Sequence, residues 1–226
     1  MIAQATTFQV RTIPIVRVQG LTLSADRLTI LAKAKNKSEE MALGYPARAA
    51  TKTMAASTIR VAPALAVVAV VRDFGLDPAA ILTEADWSPA VLNDPENVVP
   101  YAAVARLIAV AAARTGCDHF GLLFGVKAGP SVIGALGFAS RHAPDVRSAL
   151  RLLTEHFACH DRGGVATLAE KGTVTTLGYR ILDPKVPGSG HIAAGSLAIG
   201  FQLMKALCGP HGDRWRRVSL FTGPRM

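Results

Sequence analysis

The segment 133–161, with the sequence IGALGFASRHAPDVRSALRLLTEHFACHD, strongly restricts its own backbone. Gly134 and Gly137 place small residues at helical spacing, where a neighbouring backbone can come close. Pro144 then interrupts the helical pattern, and Asp145 is a good N-cap for a following helix. The segment therefore predicts two short helices that meet at a tight corner.

The composition indicates a globular chain with one core, because half of the 226 residues are apolar. The apolar run 61–71 is much shorter than the roughly 20 residues that a membrane helix needs. The longer uncharged stretch 186–204 contains Pro187 and four glycines. We interpret it as a loop that leads into a buried helix, and we expect no membrane contact.

Three cysteines, Cys117, Cys159 and Cys208, are widely spaced and odd in number. This usage fits a reducing compartment better than a disulfide framework. We therefore expect a cytoplasmic protein.

The net charge of +9 is unevenly distributed. Residues 1–53 carry +5 and residues 54–226 carry +4. Since the larger part of the chain is only mildly basic, the overall charge is weak evidence that this fold contacts DNA.

Residues 1–53 differ in character from the rest of the chain, because they mix bulky apolar residues with arginine and proline and show no consistent period. We interpret them as an unstructured extension, or as sequence upstream of a start at Met54. The folded domain is accordingly expected to span residues 54–226.

The first half of this domain predicts a helical array with short connections. Pro63 favours a helix start, and Gly75 is a suitable C-cap. Asp77-Pro78 and Ser88-Pro89 repeat the pattern of a cap followed by proline, and a longer helix follows Val99-Pro100.

The second half changes period after the corner. Alternating apolar residues on both sides of Lys171-Gly172 predict a β-hairpin. A loop at 183–190 leads to a helix over 192–207, and the apolar residues 218–221 predict a final strand. The expected fold is thus α+β in a single domain: a helical array followed by a β-hairpin, a long helix and a final strand.

Several short motifs occur in an order that is typical of one protein family. Over about residues 58–226, the chain resembles the N-terminal, arabinose-binding-like sensing domain of AraC/XylS-type transcriptional regulators. The motifs that carry the resemblance are Gly75-Leu76-Asp77-Pro78, Asn93-Asp94-Pro95 before Val99-Pro100, Thr115-Gly116 before Phe120-Gly121-Leu122, Gly134 to Gly137, and Leu207-Cys208-Gly209 before Trp215 and Val218.

The resemblance implies a regulatory domain that binds a small-molecule effector and is not an enzyme. A homodimer is one expected form. The family continues into a DNA-binding domain with two helix-turn-helix units, whereas this sequence ends at Met226. We therefore expect a truncated regulator that would reach DNA only through an absent domain. The alternative is a dimerisation or interaction module without an effector, or a gene remnant.

The sequence offers only weak signals for metal or catalytic chemistry. His156, Cys159 and His160 have the spacing of a partial zinc set, but a fourth ligand is not evident, and a polar helix end explains them better. Cys117 is interpreted as a small buried residue. Gly134 to Gly137 lacks the features of a dinucleotide loop. We expect no metal, no cofactor and no enzymatic activity.

A cluster of arginines, Arg214, Arg216 and Arg217, is the densest basic group after the extension. It could contact a phosphate backbone, but a solvated strand edge or a linker explains it better.

The most plausible ligand pocket lies between the predicted hairpin and the helix 192–207. There, Tyr179, Arg180, His191 and Phe201 could combine polar groups with an apolar wall. These four residues are our candidates for effector binding, and Arg180 would suit an anionic effector.

Overall fold

The computed structural model describes residues 5–8, 57–171, 174–183, 185–209 and 220–222. Within these residues the chain forms an α+β fold, as the sequence predicted. Its strands and α-helices are, in chain order, β1 (Ala5–Phe8), β2 (Thr58–Arg60), α1 (Ala62–Asp73), α2 (Pro78–Glu84), β3 (Val98–Pro100), α3 (Tyr101–Thr115), α4 (Phe120–Ala128), α5 (Gly134–Arg141), α6 (Val146–Glu155), β4 (Gly164–Lys171), β5 (Val174–Ile181), α7 (Ser189–Cys208) and β6 (Leu220–Thr222). Short 3-10 helices occupy Pro89–Asn93, Pro130–Ile133 and Phe157–Cys159.

Two aspartates fix the starts of short helices, in agreement with the sequence pattern. The Asp77 carboxylate accepts a hydrogen bond from the backbone N–H of Ala79 at 3.0 Å and caps α2. The Asp145 carboxylate accepts from the backbone N–H of Ser148 at 2.8 Å and caps α6. Each cap satisfies a donor that the first helical turn leaves unpaired, so these helices begin at defined residues.

The predicted corner is formed by α5 and α6. Gly134 begins α5 with a φ of +55°, a conformation that residues with a Cβ rarely adopt. A Cβ at Gly137 would lie 2.7 Å from the carbonyl oxygen of Pro130. The two glycines therefore stand where a side chain has no room, and Leu153 of α6 is buried in one apolar cluster with Ile133.

The strands form two antiparallel sheets, with the orders β4-β5-β1-β6 and β2-β3. The predicted hairpin is β4–β5, in which Gly164 lies opposite Ile181 and Lys171 opposite Val174. Its turn, residues 172–173, lies outside the described residues. The sequence did not predict β2 and β3, because strands of three residues carry too little alternation to be recognised.

The strand β1 lies within residues 1–53, which the sequence predicts to be an extension, and the other residues of that range lie outside the described residues. Ala5–Phe8 lies between β5 and β6, where Thr6 pairs with Tyr179 on one side and with Thr222 on the other. A domain that began at residue 54 would lack this strand. Both of its partners lie more than 150 residues away in the sequence, beyond the reach of local patterns.

The long helix α7 is the centre of the second half of the fold and contacts α3, α4, α6 and β5. Its length and apolar composition would allow it to cross a membrane, but these contacts are those of a core helix. It approaches α4 closely because Gly121 and Gly125 face it, and a Cβ at Gly125 would clash with the backbone oxygen of Gly195. The sequence prediction of a buried helix over 192–207 agrees with this packing.

The predicted final strand is present as β6, which pairs with β1. The basic cluster Arg214, Arg216 and Arg217, and the neighbouring Trp215 and Val218, lie outside the described residues.

A side chain at the contact between α4 and α7 should strongly destabilise the fold. We expect Gly125→Val to lower the free energy of unfolding by about 3 kcal/mol, because the new side chain forces the two helices apart. The matched control is Gly190→Ala on α7, where a Cβ would meet no atom within 4 Å. This control should raise the free energy of unfolding by about 0.5 kcal/mol. Equal effects of the two variants in chemical denaturation would contradict the close packing.

Candidate functional site

A cavity of about 90 Å³ lies between the β4–β5 hairpin and α7, and residues of α3 and Phe124 of α4 also line it. This is the part of the fold where the sequence placed a ligand pocket. The lining is mostly apolar, with the aromatic side chains of Tyr101, Phe124, Phe157 and Tyr179 among it. A mostly apolar cavity with a few polar groups is typical of small-molecule sites.

One face of α7 forms a wall of this cavity. Ile192, Ser196, Ile199 and Leu203 line it, and their spacing of three and four residues places them in one row along the helix. Ser196 supplies the only hydroxyl of this row. Since this wall belongs to the central helix, a ligand in the cavity would press directly on α7.

A chain of hydrogen bonds crosses one side of the cavity. The Tyr179 hydroxyl donates to Oδ2 of Asp161 at 2.7 Å. The hydroxyl oxygens of Tyr101 and Tyr179 are 2.9 Å apart. Because the Tyr179 proton is directed to Asp161, Tyr101 is the donor in this second bond. The chain thus joins α3, β5 and the turn before β4, and no described residue donates a hydrogen bond to the Tyr101 oxygen.

The buried Asp161 carboxylate is the end point of this chain. Its Oδ1 atom accepts from the backbone N–H groups of Gly163 at 2.7 Å and Gly164 at 3.1 Å. Burial raises the pKa of Asp161 to about 6, although the hydrogen bonds from Tyr179, Gly163 and Gly164 act in the opposite direction. Burial also raises the pKa of Tyr101 and of Tyr179 above the ordinary value, and the nearby Asp161 charge adds to this. Both tyrosines are therefore neutral donors at neutral pH.

His160 is a further buried titratable group on the cavity wall, and the residue is 6% exposed. Burial and the neighbouring Arg60 charge lower the pKa of His160 to about 4, so that the imidazole is neutral at neutral pH. Its Nδ1 atom has no hydrogen-bond partner among the described residues. Arg60 is itself buried and forms an ion pair with Glu96.

Of the four residues that the sequence proposed for ligand binding, the structure brings Tyr179 to the cavity wall. Arg180, the next residue of β5, belongs to the opposite face of the strand and does not line the cavity. His191 and Phe201 lie on α7, outside the row that lines the cavity. The reason that favoured an anionic effector, the charge of Arg180, therefore does not apply to this cavity.

His191 and Phe201, the two candidate residues of α7 that do not line the cavity, contact other side chains. The His191 ring meets Phe120 edge-on, with 6.4 Å between the ring centroids. Burial lowers the pKa of His191, and the charge of Asp118 acts in the opposite direction. Lys205 Nζ lies 5.9 Å from the centroid of the Phe201 ring.

Sequence reasoning missed Tyr101, His160, Asp161 and Ser196 as parts of one site. Tyr101 was interpreted only as the start of a helix, and His160 with Asp161 as a polar helix end. His156, Cys159 and His160, which have the spacing of a partial zinc set, do not lie on one face of an α-helix, because α6 ends at Glu155. His156 and Cys159 are exposed, whereas His160 points into the core. A useful signal was available, since Asp161-Arg162-Gly163-Gly164 has an aspartate before two glycines, a pattern typical of a side chain that accepts bonds from backbone N–H groups.

The amino-acid sequence matches the model of one protein family. The model described as the arabinose-binding domain of AraC transcription regulators, N-terminal, matches residues 75–225. No match was found among curated proteins. The family model includes the hairpin, α7 and most of the residues that line the cavity.

The two buried titratable residues should influence stability with opposite dependence on pH. The folded protein binds the Asp161 proton more tightly than the unfolded chain, whose ordinary pKa is 3.8, so this residue makes stability fall as pH rises from about 4 to about 6. His160 has a folded pKa of about 4 against an ordinary 6.5, so it makes stability rise as pH increases from about 4 to about 6.5.

Single variants should therefore separate these effects. Relative to the unsubstituted chain, Asp161→Asn should gain stability as pH rises from 4 to 6.5, with a change on the order of 3 kcal/mol. His160→Gln should show the opposite slope over pH 4 to 6. Free energies of unfolding from urea titrations at a series of pH values measure both. Parallel pH profiles for the two variants would contradict the burial of these groups.

Proposed function

The chain belongs to the family of N-terminal arabinose-binding domains of AraC transcription regulators, and from this we propose that it senses a small-molecule effector in the cavity between the β4–β5 hairpin and α7. The observation that carries the proposal is the cavity itself: a mainly apolar space with the Tyr101–Tyr179–Asp161 hydrogen bonds on one side. In such a site, the apolar surface contributes to the affinity for a small molecule and the few polar groups contribute to specificity.

The effector signal would pass through α7. This helix lines the cavity with one face and packs against α4 with another through Gly125 and Gly195. A packed helix pair of this kind has little freedom to deform and responds to a ligand by a small shift of a whole element. In our proposal, the occupied and empty cavity differ in the position of α7.

The proposed sensor is a regulatory protein of the cytoplasm, without catalysis and without a cofactor. Contact with DNA is assigned to a helix-turn-helix domain and not to the described residues. A homodimer is the proposed form in which two sensing domains place their DNA-binding partners on a two-fold symmetric site.

Filling the cavity should abolish effector binding and leave the fold intact. A thermal-shift screen of sugars, amino acids, amines, alcohols and short carboxylic acids with the 226-residue chain would identify an effector. An effector at a hundred times its dissociation constant should stabilise the protein by about 2.7 kcal/mol. We expect this stabilisation to be lost in Ala166→Leu and in Ser196→Leu, which fill the space from two opposite walls.

Arg180→Ala is the control, since Arg180 lies on the same sheet but outside the lining. It should keep the stabilisation by the effector. The contrary result would be that the filled variants are folded and still stabilised by the effector, whereas Arg180→Ala is not stabilised. The effector would then bind outside the cavity, near Arg180, His191 and Phe201, as the sequence alone suggested. If no compound stabilises the protein, the interaction module becomes the better explanation.

A further inference from the structure

We propose that the cavity takes a small organic ammonium ion, bound by the Asp161 carboxylate at one end and by aromatic and aliphatic side chains along its body. This inference rests on the proposed function and specifies the class of effector. It follows from the charge, the free hydrogen-bonding positions and the size of the cavity.

Charge is the first argument. Asp161 is 2% exposed. Among the described residues that line the cavity, Asp161 and His160 are the only ones of the Asp, Glu, Lys, Arg and His types. A buried charge is normally paired, because an unpaired one loses its hydration without compensation. A cation in the cavity would supply the missing partner, whereas a carboxylate would meet a like charge at close range.

The surroundings of Asp161 do not supply that partner from within the chain. Tyr101 and Tyr179 face it from α3 and β5 as neutral hydroxyls, and His160 beside it is a neutral imidazole at neutral pH. Arg60 on β2 lies close to His160, but its guanidinium is paired with Glu96. The negative charge of the cavity is therefore not balanced by the described side chains around it.

The hydrogen-bond capacity of Asp161 is the second argument. An ionised carboxylate has about four acceptor positions, and three are taken by Gly163, Gly164 and Tyr179. One position on Oδ2 remains for a ligand donor. The Tyr101 oxygen offers a second acceptor position, so that an ammonium group with its three N–H donors could be held by more than one bond.

The aromatic lining is the third argument. Tyr101, Phe124, Phe157 and Tyr179 all border the cavity. Aromatic faces attract cations, and the attraction is stronger where water is excluded. The same rings also give apolar area to the carbon part of an amine, which neither a free metal ion nor ammonium itself would use.

Size limits the ligand. The cavity of about 90 Å³ is smaller than an engineered apolar cavity of about 150 Å³ that accepts benzene. By this comparison a ligand of about four or five non-hydrogen atoms fits. Butylammonium and 1-butanol share one carbon chain and differ in charge, so they separate the effect of charge from that of apolar contact. Propionate has the same number of non-hydrogen atoms as these two compounds and carries a negative charge.

The test is isothermal titration of the 226-residue chain with these three compounds at pH 8, where Asp161 is ionised. We expect butylammonium to bind about tenfold or more tightly than 1-butanol, because hydrogen bonds to charged groups are stronger than neutral ones. Propionate should not bind measurably. Equal binding of butylammonium and 1-butanol, tighter binding of propionate, or no binding of butylammonium would each overturn the proposal.

Two further measurements identify Asp161 as the partner. Asp161→Asn should lose the preference for butylammonium and keep the affinity for 1-butanol, whereas Asp118→Asn, at an exposed carboxylate outside the lining, should change neither. In the unsubstituted chain, butylammonium affinity should fall as pH decreases through about 6, because protonation removes the charge of Asp161. An unchanged preference in Asp161→Asn would overturn the assignment.

These outcomes are distinct from those that test the sensing role. If an uncharged or anionic effector binds and is lost in Ala166→Leu, the cavity is the sensing site and only its assignment to ammonium compounds is wrong. If butylammonium binds equally well to Ala166→Leu, it binds outside the cavity and the assignment to ammonium compounds is wrong, whereas the sensing role is decided by the response of the filled variants to the effector found in the screen.

Discussion

The buried carboxylate of Asp161 connects parts of the structure that are distant in the sequence. It accepts bonds from the backbone of Gly163 and Gly164 and from the Tyr179 hydroxyl, and its own backbone forms a bridge to Ile59 of β2. The start of the hairpin is thereby fixed relative to both sheets. Since a buried charge is costly without such bonds, the turn, β5 and the cavity wall depend on one another.

The cavity also depends on how closely the central helices pack. Gly121 and Gly125 of α4 and Gly195 of α7 allow the two helices to approach until their backbones nearly touch. The aromatic ring of Phe124 packs over Gly195, and Phe124 also lines the cavity. A tight contact on one side of α7 and an open space on its other side make this helix the element that a ligand can displace.

The electrostatics of the site differ from those of an ordinary core. His160 and Asp161 are neighbours, yet both are buried, and their pKa values are shifted so that the histidine is neutral and the aspartate holds its proton more tightly. Neither shift stabilises the folded state at neutral pH. Buried groups with such shifted pKa values are frequently found at functional sites, and this agrees with the proposed role of the cavity in sensing.

The sequence by itself determined the features that depend on near neighbours: the caps at Asp77 and Asp145, the corner around Pro144, the hairpin, the buried final helix and the family. Only the tertiary structure decided which side chains share the cavity. Tyr101 and Tyr179 are separated by 78 positions, and β1 joins the sheet from the far end of the chain. Local periodicity reports which residues lie on one face of an element, but it carries no information on which faces meet, because that depends on packing the whole chain around one core. For the same reason the sequence identified Tyr179 as a candidate for the pocket from its position in the hairpin. It did not show that Asp161 lines the cavity or that Arg180 lies outside the lining.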